Sequence, residues 1–231
     1  MPKVIAAPVI VFRSEGIEIP AGIVNLDRFR AWAHSRGFPQ RGRIDWVGGT
    51  MEVDMSPEDL GTHGTPKSAI AIRLGQLIED EERGAVFIDR ARLTNRAAGL
   101  SCEPDVLVVL DETFESGRAR LVPRKSGGEG RFIEIEGTAD LVVEIVSDDS
   151  QTKDTVSLRD AYHRAGVREY WLIDVREGEI EFHLLVHGKA RYRASRPDPA
   201  GFRRSPVLGR EVRLVLSRKA AGLAHYRLEA R

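Results

Sequence analysis

Asp140-Leu141-Val142-Val143-Glu144-Ile145-Val146-Ser147 is the stretch on which the reading of this chain turns. Five of its residues from Leu141 to Val146 are aliphatic, a short continuous apolar run of the kind found in strands buried on both faces. Glu144 interrupts it. A glutamate in the middle of such a strand loses several kcal/mol of hydration unless it is paired, protonated or bound to a cation. The same anomaly recurs in Glu103-Pro104-Asp105-Val106-Leu107-Val108-Val109, where an acid opens an otherwise apolar strand.

If the two strands are neighbours, Asp105 and Glu144 converge on one point. Two carboxylates, with water and a phosphate oxygen, make a reasonable Mg²⁺ or Mn²⁺ site, and such an ion activates water and steadies charge developing on a phosphodiester. The plainer alternative is that Asp105 caps a turn after Pro104 and that Glu144 pairs with a buried Arg or Lys.

Outward from these strands, the pattern predicts an α/β or α+β arrangement. Asn25 is a good helix N-cap, and Leu26, Phe29, Trp32 and Ala33 follow at helical spacing as far as Gly37. Arg43 to Val47 and Thr50 to Met55 flank Gly48-Gly49, the dipeptide of a tight hairpin. Thr65-Pro66 starts a helix whose Ile70, Leu74, Leu77 and Ile78 share one face, with Gly84 closing it. Val86 to Ile88 reads as a strand. Asp111 to Thr138 reads as a surface excursion with one strand near Phe132 to Ile135. Leu158, Ala161, Tyr162 and Ala165 form a second helical stripe, Tyr170 to Ile173 a strand, and Glu181 to Val186, Ala190 to Ala194 and Val212 to Leu216 hairpin-like runs.

With 231 residues, 42% apolar and 30% charged, the chain has the composition of an ordinary globular domain. Lys plus Arg and Asp plus Glu each number 35, so DNA binding would rest on a local patch and not on a global positive field. The single cysteine, Cys102, excludes an intrachain disulfide and a cysteine-based zinc site. The apolar run before Arg13 is broken by Pro8 and too short for a signal-peptide core, and no stretch reaches the length of a membrane span. A cytoplasmic protein with no membrane association is the expectation. Glycine-rich phosphate loops, HExxH and Gly-x-Ser-x-Gly are absent from the sequence.

Pro104-Asp105, Glu144-Ile145-Val146-Ser147, Lys153-Asp154, Tyr162 and Ala165-Gly166-Val167-Arg168-Glu169-Tyr170-Trp171-Leu172-Ile173-Asp174 together resemble the restriction endonuclease family called Uma-two, within the PD-(D/E)XK nuclease superfamily. The resemblance is strongest from Glu103 to Asp174 and reaches back to the hairpin and Ser56-Pro57. It implies a restriction-endonuclease-like core, a mixed central β-sheet flanked by helices, with Asp105 and Glu144 as metal ligands and DNA as substrate. It implies one domain over residues 1–231: a helix and hairpin extension (1–62), the nuclease-like core (63–186) and a β extension (187–231). Analogy with the superfamily suggests a homodimer.

The superfamily pattern puts a lysine two residues after the acid, on the same strand face. Here Val146 holds that position, and Leu158 holds the position in the next helix from which the family commonly supplies the lysine. Lys153, at the start of that helix, is the candidate replacement, with a long flexible ammonium arm. Arg159 could hold a phosphate but not act as a base. His63, just before the Pro66 helix, could orient a metal ligand or touch phosphate, although a lone histidine is more often a loop or capping residue. Glu52 on the hairpin is a candidate third acid. Arg90-Ala91-Arg92 and Arg203-Arg204 are candidate phosphate contacts or ordinary solvated surface. Tyr170 and Trp171 read as core. Two functional classes follow: a Mg²⁺-dependent endonuclease using Asp105, Glu144 and Lys153, and a nuclease-fold binding protein that has lost catalysis, favoured by Val146 and Leu158. A metal-dependent hydrolase of another phosphate ester is a third.

Overall fold

The computed structural model describes residues 9–12, 17–124, 128–148 and 153–231, the side chains of 9–12 and 153–155 excepted. The Glu144 strand forms over Leu141–Ile145 and pairs antiparallel with Val106–Leu110 on one side and parallel with Glu169–Asp174 on the other. Around this trio a six-stranded sheet runs in the order Arg193–Ala194, Glu181–Val186, Glu169–Asp174, Leu141–Ile145, Val106–Leu110, Gly84–Ile88. The fold is mixed α+β, as the alternation of helical and strand patterns predicts.

Strand alternation sorts the side chains of this sheet to two faces. Leu107, Val109, Val142, Tyr170 and Leu172 point into one core, which also takes Leu158, Ala161 and Tyr162 from the segment around helix Arg159–Arg164. Val106, Val108, Val143, Ile145, Trp171 and Ile173 point into the other, against Ile70, Leu74 and Ile78 of helix Thr65–Ile78 and Val212, Leu214 and Leu228 of a three-stranded sheet. Tyr170 and Trp171 are both fully buried and on opposite faces. They are packing residues.

A second six-stranded sheet closes over the first core in the order Thr50–Asp54, Arg43–Val47, Leu100–Cys102, Leu93–Asn95, Phe132–Gly137, Ala119–Pro123. Val47, Leu93, Leu100, Cys102, Ala119 and Ile135 supply its share of the core. Two segments depart here from the sequence expectation. The 111–138 stretch is more than a surface excursion, because Ala119–Pro123 and Phe132–Gly137 pair with each other and complete this sheet. Leu93–Asn95 and Leu100–Cys102 are three residues each, too short for a period of two to register in sequence.

The Gly48-Gly49 turn joins Arg43–Val47 to Thr50–Asp54 in the expected register, Val47 facing Thr50, and both glycines have positive φ, 59° and 97°. The outer face of this hairpin carries Ile44 and Trp46 against Phe29 and Trp32 of helix Leu26–Ala33, which Asn25 caps by accepting the Arg28 amide. That helix ends at Ala33, earlier than Gly37. Gly84 does not end the Thr65–Ile78 helix either; it opens a strand so close to Val109 and Leu110 that a Cβ there would strike their backbone.

Candidate functional site

Continuing the register of Val142 with Leu107 and Val143 with Val106 by one residue sets Glu144 across from Asp105. Both lie on the face shared by Val142 and Leu107, because each is separated from those residues by two along its strand. The acids therefore turn toward the space between the two sheets. The second sheet answers with a cation: Arg43 and Asp45 alternate with Val47, which also faces that space.

Arg43 reaches between the acids. Its Nη2 donates to Glu144 Oε2 at 2.8 Å, and its Nη1 lies 3.4 Å from Asp105 Oδ1. Its Nε is buried without a hydrogen bond of acceptable geometry, although Asp45 Oδ2 is 3.3 Å away. The remaining oxygens are also engaged. Glu144 Oε1 accepts from the Tyr162 hydroxyl at 2.6 Å, and Asp105 Oδ2 accepts from the Ile145 amide at 2.7 Å. Cys102 Sγ sits 3.3 Å from the same tyrosine oxygen.

Burial alone would raise the Asp105 carboxyl. The charges of Arg43 and His63 and the bonds from His63 and the Ile145 amide outweigh it and bring Asp105 down to about 2. Burial depresses Arg43 less than the charges of Glu144, Asp105 and Asp45 hold its proton on, so the guanidinium is charged throughout. Tyr162 is pushed up, first by burial and then by the neighbouring Cys102 and Glu144. It stays a neutral donor.

His63 lies on a wide helical turn, Leu60–Gly64, that Asp59 caps by accepting the Gly61 and Thr62 amides. Its Nδ1 is 2.9 Å from Glu58 Oε1 and its Nε2 3.3 Å from Asp105 Oδ2. Burial lowers its pKa, but Asp105 and Glu58 more than compensate and raise it to about 9. His63 is an imidazolium bridging two carboxylates and not a bystander of the loop. Lys67, one turn further on, bonds Glu58 at 2.7 Å and Asp89 at 2.9 Å.

These groups open into a cleft of about 430 Å³ whose walls include Ser56, Thr62, Ser147 and the charged residues. Among the described residues, the lining holds the acids Asp54, Glu58, Asp59, Asp89, Glu103, Asp105 and Asp148 and the bases Arg43, His63, Lys67 and Arg90; Glu103 and Asp148 are in turn paired with Arg92 and Arg176. Glu144 lies behind Arg43, with no surface exposed.

Two observations bear on a divalent ion. The donor set suits a hard cation, since two carboxylates converge on one point and a positive group already stands there. Among the described residues, however, no three of His, Cys, Asp and Glu gather as a ready-made ligand set. The chemistry of the Asp105 and Glu144 pair is of the kind a hard cation takes, but in this structure Arg43 neutralises it, which is the plainer sequence reading for Glu144.

The other sequence candidates divide. Arg90 is exposed on the cleft wall, whereas Arg92 is buried and bonds Glu103 at 2.6 Å. Glu52 pairs across the hairpin with Asp45 but does not line the cleft. Arg159 lines a different hollow with Asp160, His163 and Tyr192. The side chain of Lys153 lies outside the described residues. Val146 and Leu158, at the two lysine positions, are buried and apolar.

Arg43, Asp45, Glu58 and Lys67 were not candidates from the sequence, and of these only Lys67 left a signal there. Lys67 precedes Ile70, Ala71 and Leu74 by three, four and seven residues, on the buried stripe of its helix. Arg43 and Asp45 share a strand face with Val47 and alternate with Ile44 and Trp46, a pattern that sequence alone reads as an ordinary half-solvated strand.

No curated protein matches the chain. A solved structure described as a "putative nuclease belonging to DUF820", from Anabaena variabilis, superimposes with a TM-score of 0.56 over 80% of this chain and 91% of that one, at 20% identity. That likeness shows a shared fold. The model of the Uma2 family, "Putative restriction endonuclease", matches residues 26–217, most of the chain and all of the cleft. The chain belongs to the Uma2 family.

Proposed function

We propose that this protein is a Mg²⁺- or Mn²⁺-dependent endonuclease that hydrolyses phosphodiester bonds of DNA in the cleft between its two sheets. The observation that carries the reading is the meeting of Asp105 and Glu144, from adjacent antiparallel strands, on a single cation at the cleft floor. Asp105 and Glu144 would hold the metal, which when bound supplies an activated water and neutralises charge on the phosphate. Tyr162 and the Ile145 amide fix the orientation of the two carboxylates. His63 ties Asp105 to Glu58 and keeps that wall of the cleft rigid.

A divalent ion at the two carboxylates would offset the repulsion that a phosphodiester meets from the acids among the described lining residues. Arg90, exposed at the rim, is the group best able to meet a phosphate first. Lys153 remains the proposed source of the ammonium that Val146 and Leu158 cannot provide.

The buried apolar character of Val146 and Leu158 favours a second reading, a nuclease-fold protein that binds DNA without cutting it. Incubating supercoiled plasmid with parent, Glu144→Gln and Asp105→Asn proteins, with Mg²⁺ or Mn²⁺, separates the two. Nicking by the parent alone supports the nuclease. Equal nicking by all three ends it, and retained DNA binding without nicking by any supports the second reading.

A further inference from the structure

Arg43 makes an imperfect seat where it stands. One nitrogen meets Glu144 well at 2.8 Å, a second reaches Asp105 only at 3.4 Å, and the third is buried without a hydrogen bond. A guanidinium has five donors in a fixed fork, and a carboxylate pair built for it would be expected to engage them in parallel bidentate bonds. Asp105 and Glu144 instead each turn one oxygen to Arg43 and the other to a separate donor, the Ile145 amide or the Tyr162 hydroxyl. Each carboxylate thus has a donor besides Arg43 that helps to orient it. The arginine also has an exit, since it lines the cleft and keeps 22% of its side chain exposed while Glu144 behind it has none.

We infer that Arg43 is an internal counter-ion that competes with a divalent cation for Asp105 and Glu144, so that metal enters only as the guanidinium swings out into the cleft. The inference rests on the proposed metal-dependent reading. Two cations cannot share one point between two carboxylates, so each ion bound costs the arginine Asp105 and Glu144, leaving it Asp45, and each return of the arginine expels the ion. The released guanidinium faces the side from which a phosphodiester would arrive. Substrate that engages Arg43 would then favour metal loading, making Arg43 a positioning residue that couples the two.

The test is Mn²⁺ binding to the full chain by titration calorimetry, comparing parent, Arg43→Met and Arg43→Lys. Arg43→Met is expected to bind about tenfold more tightly or better, the size of an ordinary coupling between competing occupants, and Mg²⁺ should raise its melting temperature more than it raises the parent's. Arg43→Lys, which keeps the charge with fewer donors, should fall between and covers the case in which Arg43→Met does not fold. In the parent, the Arg43 side-chain nitrogen resonance, assigned by its loss in Arg43→Lys, should move during Mg²⁺ titration and stay still in Glu144→Gln. Affinity in the folded variants equal to or weaker than the parent's, or no metal binding by any, overturns the inference. The nuclease reading is judged separately on the plasmid. Tighter metal binding without DNA cleavage by any form leaves the competition standing and removes the nuclease. Glu144-dependent cleavage with unchanged metal affinity does the reverse.

Discussion

Arg43 Nη2 stands 2.8 Å from Glu144 Oε2 although 101 residues separate them, one on each of the two large sheets. The pair fastens the sheets across the floor of the cleft, and it makes the candidate active site and the inter-sheet contact one object. Substitutions here therefore have two readouts, stability and chemistry, that need to be measured together.

Glu144→Gln keeps an acceptor for the Tyr162 hydroxyl but removes the charge facing Arg43. Asp45 and Asp105 remain, so the loss of stability should be about 2–3 kcal/mol and not a failure to fold. Denaturant melts read that cost. Metal-stimulated DNA cleavage should fall by about 100-fold or more, and a variant that cuts as fast as the parent would remove Glu144 from the mechanism.

Tyr162→Phe takes away the 2.6 Å donor to Glu144 and leaves the ring in the core. An expected loss of about 1–2 kcal/mol reflects a buried carboxylate oxygen deprived of that partner. Urea unfolding of the two proteins, run without divalent ions, checks it; an unchanged midpoint would mean that the hydroxyl contributes nothing to holding the acid.

Arg90→Ala should weaken DNA binding evenly across sequences and lower the slope of log affinity against log salt by about one. Fluorescence anisotropy at several salt concentrations measures both. An unaltered slope would take Arg90 off the phosphate path.

Glu136 gathers Arg30, Arg96 and Arg120, whose bonds and charges, chiefly the bond from Arg30, outweigh burial and hold it near 2; burial is the largest single influence on Glu134, but the bonds and charges of His34 and Arg30 together outweigh it and lower that carboxyl too. A carboxylate whose folded pKa lies below its unfolded value stabilises the fold fully above the unfolded value, and this contribution drains away as pH falls through the folded one. Melting temperature should therefore drop between about pH 4.5 and 2. Glu136→Gln should make that decline shallower without abolishing it, because Glu134 still titrates. Curves of equal steepness for the two proteins would count against the pairing.

The sequence made the central strands legible because a charged residue inside an aliphatic run violates an expectation that few other features disturb. Asp105 and Glu144 stood out for that reason, but only the register of the two strands, which the sequence does not carry, puts them on one face. Arg43 was hidden for a different reason: at the start of a strand an arginine looks like any solvated residue until the partner sheet covers it. The second sheet itself escaped notice because its middle strands, Leu93–Asn95 and Leu100–Cys102, are held by neighbours more than by their own pattern. For His63 the sequence left both an accessory role at the site and a loop or capping role open, and only the nearness of Asp105 and Glu58 in space makes it a bridge between carboxylates.

Gly42, immediately before Arg43, has φ +71°, and a Cβ on it would collide with the Met55 sulfur and the Asp54 carbonyl. The chain can thus aim its guanidinium at the floor of the cleft only by leaving its predecessor bare. A saturation library should register this as intolerance at a position with no side chain to offer ion or nucleic acid, and Gly42→Ala should behave as a crippled Arg43 while every charged group is still encoded.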